Sequence, residues 1–522
     1  MSKFSLLLLL AAAFIFFSGS VWAASTTVST ASGDVVGVEQ DGLRVFKGIP
    51  YAEPPEGELR FAPPQKVKPW TAPLDASEFG PWAFQVGDGS PPMSEDCLSL
   101  NVWTPAQADE KAKLPVYVFI HGGAYAIGSG AEPLFDMSSF AKNGVVGVTI
   151  NYRLNALGFF ASRSTYDKYG TTGNWGHLDQ ILALEWVRDN IAAFGGDPGN
   201  VTIGGESAGS FSVSSLILSP LAKGLFQGAI LESGVVWGAR AYSYYAKGDL
   251  KRSIELGQLL SSIFLAADDA QGLAELRRAD PIALAKLAEF RMDLSSLTPF
   301  FLTPVYDGHV LPVDPLEALK AGAFNHVRIL WGFNGDEGAL FVPETADEPA
   351  YAAMATVAYG PEQAKAVLER FPVDELNPAH RRVRQLLAYS LFTSGMKTLA
   401  DALSSRGLDV YGYNFDYISP ENQAKGIGAM HTDELAYAFN NLEAGGLKAS
   451  DHQTLADEIH LRWVNFIKTG DPNQGLQLPS NLQWPKYDPQ NSQVMIFNSE
   501  LAVKTLPDKD NLEFFEKLRA WR

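Results

Sequence analysis

The stretch that decides the fold is Val201-Thr202-Ile203-Gly204-Gly205-Glu206-Ser207-Ala208-Gly209-Ser210, in the middle third of the 522-residue chain. Its β-branched start predicts a buried strand, and the segment 210–218 that follows predicts a helix. The junction carries Gly205-x-Ser207-x-Gly209, in which two glycines leave room for a sharp turn. A serine at this turn stands at a helix N-terminus, where free N–H groups favour a developing negative charge. The stretch therefore predicts that Ser207 is a nucleophile.

Strand and helix patterns alternate on both sides of this stretch. Strands are predicted at 26–38, 42–48, 95–105, 114–120, 144–150, 228–231, 327–331 and 410–415, and helical patterns at 177–194, 242–292, 349–403 and 455–467. This alternation indicates an α/β fold with a mainly parallel central sheet and helices on both faces. We expect one domain over residues 24–522, with helical insertions at roughly 240–320 and 340–405 covering the active-site edge.

Composition and charge exclude several classes of function. A hydrophobic content of 46% with 19% charged residues is typical of a globular protein with a large core. The net charge of −18 argues against nucleic acid as a partner and against docking on anionic lipid. The single cysteine, Cys97, cannot form a disulfide within the chain, and its acidic surroundings disfavour a thiolate. No metal-ligand or dinucleotide motif is present, so no metal and no cofactor are expected.

The first 23 residues have the pattern of a secretory signal peptide. Lys3 is a short positive region, the apolar run covers 6–17, and Val21-Trp22-Ala23 is typical of a cleavage site. The apolar run is shorter than the ~20 residues that a membrane-spanning helix needs. We therefore expect a soluble mature protein, secreted or periplasmic, without a stable membrane anchor.

A serine nucleophile needs a base, and the base needs an acid that fixes its tautomer. The acid is expected after the strand 327–331, where Asp336 and Glu337 are adjacent and spacing alone does not choose between them. Four histidines follow: His380, His431, His452 and His460. Only His431 lies in a loop after a strong strand, which favours it as the base.

Oxyanion donors are expected in two places. The N–H of Ala208 follows the nucleophile, and the turn Gly122-Gly123-Ala124 follows a buried central strand upstream of it. Glu206, beside the nucleophile, is expected either to face the site or to be a buried structural carboxylate. Ser233 and Trp237 follow the next strand and are expected either to shape an acyl pocket or to pack in the core.

Several blocks of the sequence resemble the type-B carboxylesterase and cholinesterase-like family of α/β-hydrolases, in its bacterial secreted form. The resemblance runs over nearly the whole mature chain. The matching blocks include Gly204-Gly205-Glu206-Ser207-Ala208-Gly209, Glu95-Asp96-Cys97-Leu98-Ser99-Leu100-Asn101-Val102, Phe46-Lys47-Gly48-Ile49-Pro50-Tyr51-Ala52 and Asn151-Tyr152-Arg153. Their order along the chain makes the resemblance specific.

The resemblance implies a role for each candidate residue. It places the acid on Glu337, the base on His431, and the oxyanion donors on Gly123, Ala124 and Ala208. It also implies two structural ion pairs: Arg60 with Glu95, and Arg153 with Asp179. Many family members bridge the signature cysteine to a partner that in this chain is Ala83, so the bridge to Cys97 is absent here.

The expected activity is hydrolysis of a small-molecule carboxylic ester by water through an acyl-enzyme. The alternatives are a non-catalytic cholinesterase-like binding protein and a thioesterase or peptidase that uses the same triad. Activity is expected to fall below a pH of about 6–7, where an ordinary histidine takes up a proton.

Overall fold

A computed structural model describes residues 24–87, 91–237, 250–264, 270–287 and 304–519 of the chain. The predicted signal peptide at 1–23 lies outside these residues, as do parts of the helical pattern predicted at 242–292. Within the described ranges, no helix combines the length and the apolar character that crossing a membrane requires.

Thirteen of the strands in the described residues form one sheet. The strands are β1 (Ala24–Thr30), β2 (Gly33–Gln40), β3 (Leu43–Pro50), β4 (Leu74–Asp75), β5 (Trp82–Ala83), β6 (Met93–Ser94), β7 (Ser99–Pro105), β8 (Leu114–Ile120), β9 (Val146–Ile150), β10 (Gly196–Glu206), β11 (Gly228–Glu232), β12 (Arg328–Asn334), β13 (Val410–Phe415), β14 (Gln493–Phe497) and β15 (Ala502–Thr505). The small ladder β5-β6 stands apart from the main sheet.

The sheet is parallel at its centre and antiparallel at its edges. Its order is β1-β2-β3-β7-β9-β8-β10-β11-β12-β13-β14-β15, with β4 beside β2. All neighbours from β9 to β14 pair in parallel, whereas the pairs from β1 to β9 and the pair β14-β15 are antiparallel. The predicted mainly parallel sheet is confirmed, and the carboxyl ends of its central strands meet at one edge.

Helices flank this sheet in the described residues. They are α1 (Ser138–Lys142), α2 (Asn155–Phe159), α3 (Arg163–Tyr169), α4 (Trp175–Asn190), α5 (Ala208–Leu218), α6 (Leu250–Ile263), α7 (Ala270–Leu276), α8 (Pro281–Leu287), α9 (Pro315–Ala321), α10 (Glu348–Tyr359), α11 (Pro361–Arg370), α12 (Ala379–Leu387), α13 (Ser394–Ser404), α14 (Pro420–Lys425), α15 (Leu435–Ala438), α16 (Ala449–Thr469) and α17 (Lys509–Arg519). A π-helical segment, Ala388–Thr393, joins α12 to α13.

The side chains of β8 show that both faces of the sheet are covered. Val116, Val118 and Ile120 belong to a core that includes residues of α4 and α5. Tyr117 and Phe119, which alternate with them, belong to a second core that includes residues of α16. Because successive side chains of a strand point to opposite faces, the apolar run of β8 requires a helical layer on each side.

The two expected ion pairs are present. Arg60 forms a two-point contact with Glu95, in which Nε donates to Oε1 over 2.7 Å. Arg153 donates from Nε and Nη2 to the two oxygens of Asp179 over 2.8 and 2.7 Å, and both side chains are buried. The second pair joins the segment after β9 to α4.

Cys97 is a free, buried thiol. Burial raises the pKa of this thiol, so the reactive thiolate is strongly disfavoured. Side-chain amides hold the segment that a disulfide could have tied down. Gln85 donates from Nε2 to the carbonyl of Gly128 over 3.0 Å and accepts the N–H of the same residue over 2.9 Å. Asn155 donates to the carbonyl of Phe84 over 2.5 Å.

Candidate active site

Ser207 lies between β10 and α5, at the carboxyl end of a central strand. Its backbone φ is +57°, a conformation that residues other than glycine rarely adopt. A Cβ atom at Gly205 would overlap the backbone of Gly209, and a Cβ atom at Gly209 would overlap the carbonyl of Ile120 at the end of β8. The N–H of Ser207 donates to the carbonyl of Glu232 over 2.9 Å, which fixes the turn to β11.

The structure brings His431 and Glu337 together. Nδ1 of His431 lies 2.5 Å from Oε2 of Glu337, and both side chains are buried. The other oxygen of Glu337 accepts the hydroxyl of Ser233 over 2.6 Å and the N–H of Asn334 over 2.7 Å. Asp336, the alternative acid, instead accepts the N–H of Gly428 and faces away from the imidazole contact. Glu337 is therefore the carboxylate that holds the ring of His431.

The remaining ring nitrogen of His431 faces the turn that carries Ser207. Nε2 lies 3.0 Å from Oε1 of Glu206, the residue before Ser207, without the alignment of a hydrogen bond. In the described part of the chain, this nitrogen has no hydrogen-bond partner, and Ser207 does not donate to it. The site thus joins His431 to Glu337 by direct contact and places its other ring nitrogen beside Glu206, the residue before Ser207.

The three predicted oxyanion donors belong to the turn after β8 and to the start of α5. Gly123 has a φ of +97° and Ala124 a φ of +57°, so the chain turns sharply after β8. A Cβ atom at Gly122 would lie 3.2 Å from Cβ of Ser207, which places this turn against the serine. Ala208 is the first residue of α5, where helix N–H groups have no partner within the helix.

Three further buried carboxyl groups lie near the base. Burial raises the pKa of Glu206 well above its ordinary value, and the charges of Glu434 and Glu337 raise it further. Burial also raises the pKa of Glu434 well above its ordinary value. For Glu232, burial raises the pKa to about 8, although a hydrogen bond from Trp463 opposes the shift. Burial therefore favours the protonated form of all three groups, which limits the negative charge beside His431.

Aromatic rings cover the other side of the imidazole. The ring of Phe392 lies 4.4 Å from that of His431 between centroids, and the ring of Phe341 lies 5.1 Å from it. Phe392 belongs to the π-helical segment Ala388–Thr393, and Phe341 directly follows the helical turn that begins at Glu337. These apolar rings exclude water from the base and form one wall of the space beside it.

The structure also assigns contacts that the sequence left open. Ser233 supports Glu337 by its hydroxyl, so neither of the two expectations for this residue describes its contact. Trp237 is buried, as expected for a core residue. Asn334 and Glu434 were not singled out, yet Asn334 donates to Glu434 and to the carbonyl of Met430, which links the acid loop to the histidine loop. Only the position of Asn334 at a strand end signalled its role.

No group of His, Cys, Asp and Glu side chains in the described ranges is arranged to hold a metal ion.

Comparisons with known proteins place the whole chain in one family. The model of the "Carboxylesterase family" matches residues 24–515. The "Para-nitrobenzyl esterase" of Bacillus subtilis (strain 168) is 35% identical over 507 residues, covering 92% of this chain and 97% of the relative. The "Fumonisin B1 esterase" of Sphingopyxis macrogoltabida is 35% identical over 494 residues, covering 91% of this chain and 86% of the relative.

Solved structures show the same likeness. A structure titled "PNB esterase" superposes with a TM-score of 0.81 at 33% identity, covering 94% of this chain and 99% of its own. A carboxylesterase of Geobacillus stearothermophilus superposes with a TM-score of 0.77 at 35% identity, covering 95% of this chain and 100% of its own. The chain has the α/β-hydrolase fold, belongs to the carboxylesterase family and is a carboxylic ester hydrolase.

Proposed function

We propose that Ser207, His431 and Glu337 are a catalytic triad that hydrolyses small-molecule carboxylic esters through an acyl-enzyme. The observation that carries this proposal is the position of His431. One ring nitrogen is fixed by Glu337 over 2.5 Å, and the other is directed at the turn that presents Ser207. A base held in one tautomer beside a serine on a strained turn is the arrangement that activates a hydroxyl.

The reaction follows from these contacts in two halves. His431 takes the proton of the Ser207 hydroxyl at Nε2 while the serine oxygen bonds to the ester carbonyl carbon. The same nitrogen then returns the proton to the alcohol, which leaves, and the acyl group remains on Ser207. Water repeats the attack with His431 as base, and the carboxylic acid is released. Glu337 stabilises the positive imidazole at each step.

The carbonyl oxygen becomes negative in both tetrahedral intermediates. The N–H groups of Gly123, Ala124 and Ala208 are proposed as its donors, because all three are backbone groups on the turn and helix that surround Ser207. Such donors are already oriented before the reaction, and removing one typically costs about 10²–10³ in kcat.

Replacement of Ser207 by alanine tests the proposal. The wild-type protein is assayed with p-nitrophenyl esters, matched thioesters and peptide amides, and Ser207→Ala is assayed beside it. The expected result is ester cleavage by the wild type that falls at least about 10³-fold in the variant. Ester turnover that survives in Ser207→Ala would refute the triad. Faster cleavage of thioesters or amides than of esters would instead favour a thioesterase or peptidase. Absence of turnover with all three substrate classes would favour a non-catalytic binding protein.

We also propose that the protein is exported through a signal peptide at 1–23, which makes it secreted or periplasmic. Fractionation of cells that express the full chain, followed by N-terminal sequencing, tests this. The expected mature protein begins at Ala24 and is found outside the cytoplasm. An uncleaved cytoplasmic protein would contradict the proposal.

A further inference from the structure

His177 is a polar side chain with no hydrogen-bond partner among the described residues. It lies on α4, is fully buried, and neither ring nitrogen is hydrogen-bonded to any described residue. Burial lowers its pKa to about 3, so the ring is neutral and offers one donor and one acceptor. Leaving such groups unpaired in an interior is unfavourable, so an unpaired buried histidine requires an explanation.

The ring of His177 borders a chain of hydrogen bonds. Gln180, one turn further along α4, donates from Nε2 to the hydroxyl of Ser212 over 3.0 Å. Ser212 donates in turn to the hydroxyl of Tyr125 over 3.5 Å. The ring of Tyr125 lies 5.8 Å from that of His177 between centroids, and Phe159 packs against both rings. The hydroxyl of Tyr125 accepts from Ser212, so its own hydrogen remains to be donated.

This chain connects the two parts of the proposed oxyanion hole. Tyr125 directly follows Ala124, and its φ of +60° continues the strained turn. Ser212 lies on α5, one turn after Ala208. A contact between Tyr125 and Ser212 therefore fixes the turn that carries two proposed donors against the helix that carries the third. Strained backbone of this kind persists only where the surroundings hold it.

We propose that Tyr125 is a positioning residue for the oxyanion donors and that His177 supports it by accepting its hydroxyl hydrogen through one buried water. The inference rests on the proposed function, because positioning matters only if Gly123, Ala124 and Ala208 bind the oxyanion. His177 thus completes the chain of hydrogen bonds that runs from Gln180 through Ser212 to Tyr125, next to the oxyanion turn. Misplacing reacting groups by a fraction of an ångström lowers the rate of the chemical step more than it weakens substrate binding.

The variants Tyr125→Phe, His177→Leu and the double variant test this proposal. For each, kcat and KM are measured with a p-nitrophenyl ester, together with inhibition by an aryl trifluoromethyl ketone, which forms a tetrahedral adduct. We expect kcat to fall about tenfold in each single variant, with KM changed less than about twofold. The inhibitor should weaken by a similar factor, because it also needs the oxyanion donors.

The double variant shows whether His177 and Tyr125 act through the same chain of hydrogen bonds or independently of each other. If His177 acts through Tyr125, the double variant loses no more activity than Tyr125→Phe alone. His177→Gln, which keeps a hydrogen-bonding group, should restore most of the activity lost in His177→Leu. Multiplicative losses in the double variant, or no rescue by glutamine, would overturn the assignment of His177.

A second buried histidine provides the matched control. His460 on α16 packs on Phe140 and is hydrogen-bonded to the carbonyl of Ala438 over 2.8 Å, remote from the oxyanion turn. His460→Leu should lower stability in urea unfolding yet leave kcat and the inhibitor affinity unchanged. Unchanged kcat in both Tyr125→Phe and His177→Leu would overturn the inference. If the activity also survives in Ser207→Ala, the proposed function itself fails.

Discussion

At the scale of single residues, several residues in the segments that carry the proposed site have strained backbone. Ser207 and Ala124 each have a φ of +57°, Ser233 has the same value, and Thr432, beside His431, has +78°. Each such residue costs about 1–3 kcal/mol and persists only where its neighbours hold it. The hydrogen bonds of Ser233 and the backbone contact of Ser207 to β11 supply that hold.

Removing the hydroxyl of Ser233 should impair the support of Glu337. Ser233→Ala leaves Oε1 of Glu337 with only the N–H of Asn334, so the carboxylate that contacts His431 is held less firmly. We expect kcat to fall about tenfold, with KM nearly unchanged. The matched control is Ser261→Ala, which removes a buried hydrogen bond of 2.8 Å to the carbonyl of Gly257 within α6, a helix that carries no proposed catalytic residue. An equal loss of kcat in both variants would contradict a specific role for Ser233.

The charge of Glu206 can be tested through the pH dependence of activity. Burial raises the pKa of Glu206 well above its ordinary value, which favours a neutral carboxyl beside His431. Glu206→Gln then replaces one neutral group by another. The acidic limb of the kcat/KM profile should shift by less than about 0.5 pH unit. A shift of a full unit toward lower pH would show that Glu206 is ionised and stabilises the protonated imidazole.

The sequence identifies site residues that belong to a local motif more readily than site residues whose role depends on a tertiary contact. Ser207 is marked by its glycines, and His431 is the one late histidine outside a helix, since His380, His452 and His460 all lie on α12 or α16. The contact of Ser233 with Glu337 and the contact of Phe392 with His431 each join segments that are far apart in the sequence. Nothing in the local sequence specifies such contacts.

At the scale of elements, buried strands were predicted well and edge strands poorly. The strand predicted at 410–415 has those bounds, as does the strand at 114–120, because continuous apolar runs require burial on both faces. The segment 26–38 instead forms two antiparallel strands, β1 and β2, which turn at 31–32. Alternating polar residues at an edge do not distinguish one strand from a hairpin.

The ion pair between Arg153 and Asp179 should be costly to break from one side. Both side chains are buried and joined by two hydrogen bonds. Asp179→Leu should lower the free energy of unfolding by about 3–5 kcal/mol, because it leaves a buried guanidinium without its partner. The double variant Arg153→Met with Asp179→Leu should recover part of that loss. Urea unfolding of the three proteins measures this, and a double variant less stable than Asp179→Leu would contradict the explanation.

At the scale of the whole molecule, the parallel sheet collects the site from distant segments. Ser207, Glu337 and His431 follow β10, β12 and β13, whose carboxyl ends lie at one edge. The same assembly also buries several carboxyl groups under this edge, among them those of Glu232 and Glu434. Alternation of strands and helices predicts the edge from sequence, but the burial of these acids emerges only when the layers pack.

These acids should make stability depend on pH. The pKa of Glu232 is about 8 in the fold, against about 4.3 for an unfolded glutamate. Between these values the folded chain holds a proton that the unfolded chain has lost, so stability falls as pH rises through this range. Glu232→Gln removes that titration. The free energy of unfolding of the variant in urea, relative to that of the wild type, should therefore increase from pH 5 to pH 8. The exposed Glu344→Gln serves as control, and an advantage independent of pH would contradict the explanation.

The most direct measurement is covalent labelling with a p-nitrophenyl phosphonate, which mimics the tetrahedral intermediate and leaves a stable adduct on the attacking oxygen. The account predicts release of about one equivalent of nitrophenol per chain, loss of esterase activity in parallel, and a single phosphonylated peptide carrying the adduct on Ser207. Ser207→Ala should take no label. Inactivation with Ser207 unmodified, or an adduct on any other residue, would contradict the claim that this serine attacks the ester.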